Sequence, residues 1–398
     1  MKIFIAIDSF KGCLASDSLN HIVAEQLRLL DPQIEISTCT MADGGEGSLS
    51  VPGSMPDCVT ERMKTLDPLA REIESRFIYN TETREAWLET ATTDGLPQLT
   101  PEERNPLRTT SYGLGQQLLR AIELGSRKIN IFLGGSASVD GGTGMLQAAG
   151  AVFRDHKGEV IREIMNGGVL ENIGSVDCLE LQKKIASVEI TGLCDVTSPL
   201  LGINGAATVF GPQKGADSSM VQKLEKGMTG YSRAVDSVTG YSRENDPGAG
   251  AAGGLGYAIL WALNGRLKSG VEEILRIQEL ERKLDRCDLV ITGEGSIDSQ
   301  TLMGKGPGYI AACARRKNIP VIGICGQTET DIDLLQGNPF TAVFATLNKV
   351  YEKSLVTDAA LTEQRIKFVT RQIYRIMKLN TASTYISHLN YDNYSLKD

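Results

Sequence analysis

Hydrophobic and polar residues follow different periods along the chain, beginning with the pattern of a buried strand. Residues 2–8 (KIFIAID) form an apolar run that ends in an acid, which is typical of a parallel strand covered on both faces. From Ser16 onward, apolar residues recur at helical spacing until Asp31-Pro32, which predicts a helix. The following EISTCTMA is predicted to be a second strand. The chain therefore opens as strand, helix and strand, with a polar loop after each strand.

The middle third has the alternation of an antiparallel sheet with one solvated face. Three segments within residues 58–91 alternate apolar and polar side chains and are separated by turn residues. A helix over 112–124 is predicted to precede the strand KINIFLGG. Residues 217–245 are polar with few strongly periodic positions, and we interpret them as a helical, partly mobile segment. The middle therefore differs in character from the start of the chain.

Beyond residue 287 the strand–helix–strand pattern returns. CDLVITGEG and PVIGICG are predicted strands, with a helix near 306–316 between them and a last helix near 361–378. The final 20 residues show no periodicity, so we expect a frayed tail there. The pattern as a whole predicts an α/β fold that is mostly parallel, with an antiparallel component in the middle.

Length, charge and cysteine usage narrow the class of protein. The 398 residues suffice for two or three domains. A net charge of −8 argues against a nucleic-acid partner, which needs a basic face. The first apolar run is too short for a secretory signal, and no run approaches the ~18 residues of a membrane span. The eight cysteines form no C-x-x-C pair, so we expect reduced thiols, no zinc site and a cytoplasmic location.

Polar loops that combine acids with glycine follow the predicted strands. They comprise residues 8–12, 43–47, 134–144, 194–195 and 293–298. An open parallel sheet places its ligand crevice beyond the carboxyl ends of the strands. Glycine lets backbone amides approach phosphate oxygens, carboxylates suit Mg²⁺, and lysine supplies a point charge for phosphoryl transfer. These loops therefore indicate a site that handles phosphate.

Each loop also has a structural interpretation. Asp8 alone is more typical of an N-cap or turn former, whereas for Asp195 a turn at a strand end and a chemical role are equally favoured. Lys11 alone is more typical of a solvated lysine. The glycine-rich stretches could serve tight helix packing. Asp43 is the strongest functional candidate, because a structural turn does not need three glycines beside an acid.

Several enzyme classes lack their motifs here. The chain has no G-x-x-x-x-G-K-[ST], no protein-kinase motif set and no G-x-G-x-x-G with a distal acid. Its three histidines, His21, His156 and His388, stand in no zinc motif and beside no nucleophile elbow. P-loop kinases, protein kinases, NAD-dependent oxidoreductases, hydrolases and zinc enzymes are therefore disfavoured.

Eight ordered blocks resemble those of the bacterial type I glycerate kinases over about residues 2–378. The blocks are DSFKG (8–12), MADGGEG (41–47), NPLRTTSYG (105–113), GGSASVDGGTGMLQA (134–148), CDVTSPLLG (194–202), FGPQKGA (210–216), PGAGAAGGLG (247–256) and DLVITGEGSIDSQTLMGKGP (288–307). The resemblance implies phosphorylation of D-glycerate with ATP and Mg²⁺, favouring 2-phosphoglycerate and leaving 3-phosphoglycerate open. D-glycerate is the expected partner, without nucleic acid or membrane, and homodimer formation is left open.

The resemblance also implies two α/β domains with the active site in the cleft between them. One domain, Rossmann- or flavodoxin-like with a parallel sheet, is expected from residues 1–70 and 285–398. The other, with a mixed sheet, is expected to be inserted as residues 71–284.

The chain departs from the usual family pattern at several positions. Ile7 stands where proline is common, Val139 where asparagine is common, and Ser296 where arginine is common. Val139 and Ser296 bear on contacts to phosphate or carboxylate groups. Residues 48–58 carry two prolines and a glycine in place of a helix, which predicts a shortened or broken helix. Because the acids and Lys11 are retained, we expect activity. The alternative is a weakened kinase-like protein that binds glycerate or another small organic acid.

Phosphoryl transfer requires charge neutralisation and a base near the attacking hydroxyl. We assign the base to Asp43 or Asp195, and the neutralisation of phosphoryl or carboxylate charge to Lys11 with Ser9. Glu294 and Asp298, with Asp8 as a further candidate, are predicted to hold Mg²⁺ directly or through water. Contacts to substrate or phosphate are predicted for Asp8, Ser9, Gly44, Gly45, Glu46, Ser136, Gln213 and Lys214. Contacts to the nucleotide are predicted for Gly134, Gly135, Gly141, Gly142, Gly253, Gly254, Gly293 and Gly295.

Overall fold

The computed structural model describes residues 1–42, 44–302, 305–328, 337–347 and 352–382. The strands of these ranges are β1 (Lys2–Ile7), β2 (Glu35–Thr38), β3 (Cys58–Leu66), β4 (Glu72–Asn80), β5 (Glu85–Glu89), β6 (Lys128–Phe132), β7 (Val152–Asp155), β8 (Ile173–Asp177), β9 (Glu189–Leu193), β10 (Arg266–Lys268), β11 (Leu289–Ile297), β12 (Val321–Thr328) and β13 (Ala342–Ala345).

Helices connect these strands. They are α1 (Ser16–Leu30), α2 (Ser50–Gly53), α3 (Tyr112–Glu123), α4 (Thr143–Ala149), α5 (Leu179–Ile185), α6 (Ala206–Phe210), α7 (Ser218–Thr239), α8 (Ala251–Trp261), α9 (Gly270–Ile277), α10 (Leu280–Leu284), α11 (Ser299–Leu302), α12 (Gly306–Arg316), α13 (Lys353–Val356) and α14 (Ala359–Ala382). Short 3-10 helices occupy Thr90–Thr92, Leu96–Gln98, Pro101–Glu103, Leu170–Asn172 and Pro212–Lys214. Within the described ranges, no helix combines the length and the apolar character that crossing a membrane requires.

The chain divides into two units. The first consists of Met1–Met41 together with the described part of Glu279–Asp398, and the second is Ala42–Gln278. The first boundary differs from the residue 70 expected from the sequence, because β3 pairs with β4 along its whole length and so belongs to the second unit. The second boundary lies at Glu279, where 285 was expected.

The first unit contains a five-stranded parallel sheet of order β13-β12-β11-β1-β2. Alternate residues of β1 point to opposite faces, so that Ile3, Ile5 and Ile7 share one core with apolar residues of α1 and α14. The helix α1 ends at the predicted Asp31-Pro32. The expected parallel sheet built from both ends of the chain is confirmed.

The second unit contains a mixed six-stranded sheet of order β10-β9-β6-β5-β4-β3. The strands β3, β4 and β5 are antiparallel, whereas β5, β6, β9 and β10 run parallel. Both faces are covered, since Trp87 of β5 packs in one core cluster while its neighbours Ala86 and Leu88 pack in another. The predicted mixed sheet is confirmed.

Residues 48–58 form only one helical turn, α2, which contains Pro52. Proline lacks the backbone N–H that continues a helix, and Pro56 follows shortly after. The expectation of a shortened helix here is confirmed. The predicted frayed tail lies largely outside the described residues.

Candidate functional site

In the first unit, the end of β1 lies beside the predicted 293–298 segment. Ile7 pairs with Gly293, so Asp8 follows the end of β1 while Glu294 continues inside β11, in register with Cys325 of β12. The backbone N–H of Asp8 donates to the carbonyl of Gly293 at 2.7 Å. A Cβ atom on Gly295 would lie 3.8 Å from the Cα of Phe10, so the loop after β1 runs beside this part of β11.

The loop after β1 turns sharply and exposes its lysine. The Asp8 Oδ1 accepts a hydrogen bond from the backbone N–H of Ser9 at 2.6 Å. Lys11 and Gly12 are exposed, and Gly12 has φ +72°, a left-handed conformation that favours glycine. Lys11 therefore lies at the protein surface, in the loop that follows β1.

Glu294 is held in a defined position inside the strand-end cluster. Its Oε1 accepts from the Thr301 hydroxyl at 2.7 Å, and its Oε2 lies 3.6 Å from the Nζ of Lys305. Burial raises the pKa of Glu294, the contacts with Thr301 and Lys305 oppose the rise, and the charges of Asp8 and Asp298 add to it. Glu294 is therefore a fixed carboxylate with other carboxylates near it.

Asp298 has a structural role beside this cluster. Its Oδ1 accepts from the backbone N–H groups of Gln300 and Thr301 at the start of α11. Its own N–H donates to the Thr301 hydroxyl, which in turn donates to Glu294. The carboxylate thus caps a short turn and supports the position of Glu294.

The oxygen donors of the first unit suit a magnesium ion. Among the described residues, no group of three or more His, Cys, Asp and Glu side chains is arranged to hold a metal. Mg²⁺ usually takes one or two protein carboxylates and completes its shell with water and phosphate oxygens. Asp8 and Glu294 match that chemistry, because both offer hard oxygen ligands where the end of β1 lies beside β11.

In the second unit, the predicted loops meet at the carboxyl ends of β6, β9 and β10. The N–H of Gly134 donates to the carbonyl of Gly44 at 3.0 Å, and a Cβ on Gly134 would lie 2.5 Å from the Cα of Gly45. A Cβ on Gly44 would lie 3.4 Å from the Cα of Gly270. A side chain at Gly134 would therefore push the two loops apart, whereas at Gly44 the left-handed backbone, with φ +74°, favours glycine. Asp43, the preceding residue, lies outside the described residues.

Asp195 joins the end of β9 to the start of α9. Its Oδ1 accepts from the Ser269 hydroxyl at 2.6 Å and from the Gly270 N–H at 3.1 Å, and its Oδ2 accepts from the Val271 N–H at 3.3 Å. The partial positive charge of a helix N-terminus stabilises a carboxylate in this position. The geometry is that of a helix cap, so the predicted function of Asp195 as a base stays a prediction.

Lys214 was predicted to contact substrate or phosphate, but it is only 3% exposed. Its Nζ donates to the Ser136 hydroxyl and to the Ser138 carbonyl, each at 2.7 Å. The Ser138 hydroxyl donates to Asp94 at 2.5 Å. We therefore assign Lys214 to the support of the 134–144 loop, because its ammonium is used inside the protein. Its neighbour Gln213 is exposed.

The charges around Lys214 are coupled. Burial lowers the pKa of Lys214 to about 8, against the opposing effect of Asp94 and Asp140. Burial, with the charge of Asp140, holds the pKa of Asp94 well above its usual range. The positive charge of Lys214 therefore interacts with two buried acids, Asp94 and Asp140.

Asp140 accepts hydrogen bonds from backbone amides that were predicted to bind ATP phosphates. It accepts from the N–H groups of Gly142 and Gly144 and from both the N–H and the hydroxyl of Ser111. The N–H of Gly141 donates to the carbonyl of Gly253 at 2.9 Å. The predicted phosphate contacts of Gly141 and Gly142 are therefore replaced by internal hydrogen bonds.

Gly253 and Gly254 also have a packing role. A Cβ on Gly253 would lie 2.2 Å from the carbonyl oxygen of Ser138, and one on Gly254 would lie 2.7 Å from the Cα of Gly141. Both glycines are buried in a left-handed turn at the start of α8, with φ of +69° and +97°. The structure thus favours the tight-packing interpretation of this stretch.

Comparison with known proteins identifies the family. The model of the glycerate kinase family matches residues 3–378. This chain belongs to the glycerate kinase family. It is 36% identical over 350 residues to a glycerate 2-kinase of Escherichia coli K12, covering 88% of this chain and 91% of that protein. It is 34% identical over 388 residues to a glycerate kinase of Bacillus cereus ATCC 10987, covering 95% and 98%.

A solved structure shares the fold of this glycerate kinase family member. It is the crystal structure of a Salmonella typhimurium LT2 protein described as a glycerate kinase 2, with a TM-score of 0.81 and 35% sequence identity. The match covers 96% of this chain and 99% of the Salmonella chain.

Two departures from the usual family pattern have clear structural places. Val139 is fully buried in the main core cluster of the second unit, so its side chain packs and does not face a ligand. Ser296 lies in β11, in register with Gln327 of β12, and is half-buried.

Sequence reasoning missed the acids that organise the loops of the second unit. Asp94 accepts a hydrogen bond from the Ser138 hydroxyl, and Asp140 accepts one from the N–H of Gly142. Glu89 accepts hydrogen bonds from the backbone within residues 47–49. Glu89 ends an apolar strand, as Asp8 does, and that pattern was an available signal. Asp94 stands in a short turn without such a signal.

Proposed function

We propose that this chain transfers the terminal phosphoryl group of ATP to D-glycerate, with 2-phosphoglycerate as the product. Family membership supports the reaction class, and the names of the relatives support the acceptor. The observation that carries the proposal at the residue level is the adjacency of Asp8, which follows the end of β1, and Glu294, which lies within β11, beside the loop of Ser9 and Lys11.

We assign the binding of phosphate in the first unit to the loop after β1 together with Glu294 of β11. Asp8 and Glu294 would hold Mg²⁺, which when bound neutralises phosphate charge. The Thr301 hydroxyl and the Lys305 ammonium fix the Glu294 carboxylate, so its orientation is set before a ligand arrives. Lys11, exposed on the loop, and the Ser9 hydroxyl would contact the oxygens of the transferring group.

We assign the acceptor-handling groups of the second unit to residues 43–46. Asp43 is the proposed base for the glycerate hydroxyl, because both oxygens of its rival Asp195 already accept hydrogen bonds from α9 and its preceding serine. Glu46 is exposed next to the buried Gly44 and Gly45, which pack against neighbouring loops. This arrangement supports a loop held by its glycines, with the Glu46 side chain exposed beside them.

The state of the cysteines supports the proposed cytoplasmic location. All eight are free thiols, and cysteines 39, 178, 313 and 325 are buried. Reduced thiols are typical of proteins in the reducing cytoplasm.

A coupled assay of ADP release tests the proposed function. With ATP, Mg²⁺ and D-glycerate, the purified chain is expected to release ADP, whereas omission of D-glycerate should abolish the release. Lys11→Met should lower kcat about 10²–10³-fold, the usual effect of removing one charge-stabilising donor. Binding of D-glycerate in a calorimeter without ADP release would instead favour the weakened, glycerate-binding alternative.

A further inference from the structure

The loop proposed to handle the acceptor is attached to the second unit by a buried carboxylate. Glu89, the last residue of β5, is 3% exposed. Its Oε1 accepts from the backbone N–H of Gly47 and its Oε2 from that of Leu49, each at 3.0 Å. One side chain therefore binds two amides directly after the 43–46 segment.

Further contacts hold the same loop. The N–H of Gly134 donates to the carbonyl of Gly44, and the Ser48 hydroxyl donates to the carbonyl of Gly45 at 2.7 Å. The side chain of Leu49 packs with Trp87 and other residues of the core cluster below. The chain is thus held at Gly44 and Gly45, within the segment proposed to contact the acceptor, and at residues 47–49 directly after it.

The state of Glu89 follows from its partners. Two N–H donors point at two different oxygens, which is the arrangement that suits a carboxylate and not a protonated acid. Burial and the charge of Glu46 raise the pKa of Glu89, while the two amides and Arg76 oppose the rise. A buried carboxylate that satisfies two amides provides a stronger and better-directed attachment than neutral hydrogen bonds.

We propose that Glu89 is a positioning residue that sets the affinity for the acceptor by fixing the 43–47 loop. The inference rests on the proposed function, since it assigns the acceptor to this loop. Glu89 acts through the backbone, and we expect no contact between its side chain and the substrate. Loss of these two hydrogen bonds should therefore change KM for D-glycerate far more than KM for ATP.

Glu89→Gln is the decisive substitution, because it keeps the shape of the side chain and changes one acceptor into a donor that faces an N–H. We expect kcat/KM for D-glycerate to fall about 10–100-fold, the effect of one lost buried hydrogen bond with its unpaired partner. KM for ATP should stay within about threefold of the parent value, because the lost hydrogen bond holds only the loop that is proposed to contact D-glycerate. Ser48→Ala removes a different contact of the loop and should raise KM for D-glycerate by a smaller factor.

Glu85→Gln is the matched control. Glu85 begins the same strand, at the end away from the loop, where it pairs with Lys128. We expect parental kinetics from this variant. Hydrogen exchange of the 44–50 peptide supplies a second readout, which should be faster in Glu89→Gln than in Glu85→Gln.

The outcomes separate this inference from the proposed function. If the parent fails to phosphorylate D-glycerate, the proposed function fails, and with it the assignment of the acceptor to the 43–47 loop that Glu89 holds. If the parent is active but Glu89→Gln and Ser48→Ala keep its KM for D-glycerate, the inference alone is overturned. Parental exchange of the 44–50 peptide in Glu89→Gln overturns it as well. A fall in kcat with both KM values unchanged, in proportion to the folded fraction, shows a purely structural effect and also contradicts it.

Discussion

The ammonium nitrogen of Lys214 lies 2.7 Å from the hydroxyl oxygen of Ser136, and both residues are buried. The lysine comes from the 210–216 motif and the serine from the glycine-rich 134–144 stretch, 78 residues earlier in the chain. Two motifs that suggest anion binding when taken separately are therefore bonded to each other. Their contact stabilises the loop, and Asp94 and Asp140 supply the opposite charge.

Removing the charge of Lys214 should destabilise the second unit. Lys214→Met leaves two acids buried without their cation, a change that typically costs about 3–5 kcal/mol. Urea denaturation of the variant and the parent measures the difference in the free energy of unfolding. Adding Asp94→Asn should recover part of the loss, because one orphaned charge is then removed. Strictly additive effects of the two substitutions would contradict this coupling.

The identity of the base can be tested by comparing two aspartates. Asp43→Asn should lower kcat by about 10²–10⁴-fold, the usual contribution of a general base. Asp195→Asn should retain most of kcat and lose about 1 kcal/mol of stability, because a helix cap is weakened. Steady-state kinetics and thermal unfolding of both variants provide the two numbers. The reverse ranking of kcat would return the base to Asp195.

Cys194 provides a probe of the charge on Asp195. Burial, with the adjacent Asp195 carboxylate, raises the pKa of Cys194 to about 11. Only the thiolate reacts with iodoacetamide, so labelling at pH 8 should be slow and should rise about tenfold per pH unit towards pH 11. Asp195→Asn should speed the labelling at a given pH, because the repelling charge is gone. Mass spectrometry of the Cys194 peptide measures the rate, and labelling that is independent of pH would refute the assignment.

Two glycines should respond in opposite ways to alanine. Gly253→Ala places a Cβ against the Ser138 carbonyl in a backbone with φ +69°, so we expect destabilisation by at least about 1–3 kcal/mol. Gly230 lies within α7, where a Cβ meets no atom within 4 Å. Gly230→Ala should therefore stabilise by about 0.4–1 kcal/mol. Thermal unfolding compares the two, and a stable Gly253→Ala variant would contradict the packing role.

Local patterns predicted the elements of this fold well where the determinants are close in sequence. The strand β1, the helix α1 and the broken helix α2 follow from short runs of apolar residues and from proline positions. The boundary at residue 41 differs from the expected residue 70 because it depends on long-range contacts: residues 44–49 bind Gly134 and Glu89, and β3 pairs with β4. Neither contact can be inferred from the local pattern of residues 42–66.

The candidate site shows the same division. Asp8, Glu294 and Gly44 were predicted from the sequence because each follows a predicted strand. The structure places Asp8 and Gly44 in loops, whereas Glu294 lies within β11, beside the end of β1. Sequence cannot tell whether a glycine amide binds a ligand or an acid of the same chain. Gly142 donates to Asp140, and the partners of Glu89 and Lys214 lie 40 to 78 residues away, so these roles needed coordinates.

Phosphorus NMR of a reaction containing ATP, Mg²⁺ and D-glycerate tests both the reaction and the position of the transferred phosphate. We expect the γ-phosphate signal of ATP to be replaced by that of a phosphate monoester coupled to a single proton, as for phosphate on the C2 oxygen of glycerate. Coupling to two protons would place the phosphate on C3 and overturn the proposed regiochemistry. Formation of orthophosphate alone, or an unchanged ATP spectrum, would contradict glycerate phosphorylation by this chain.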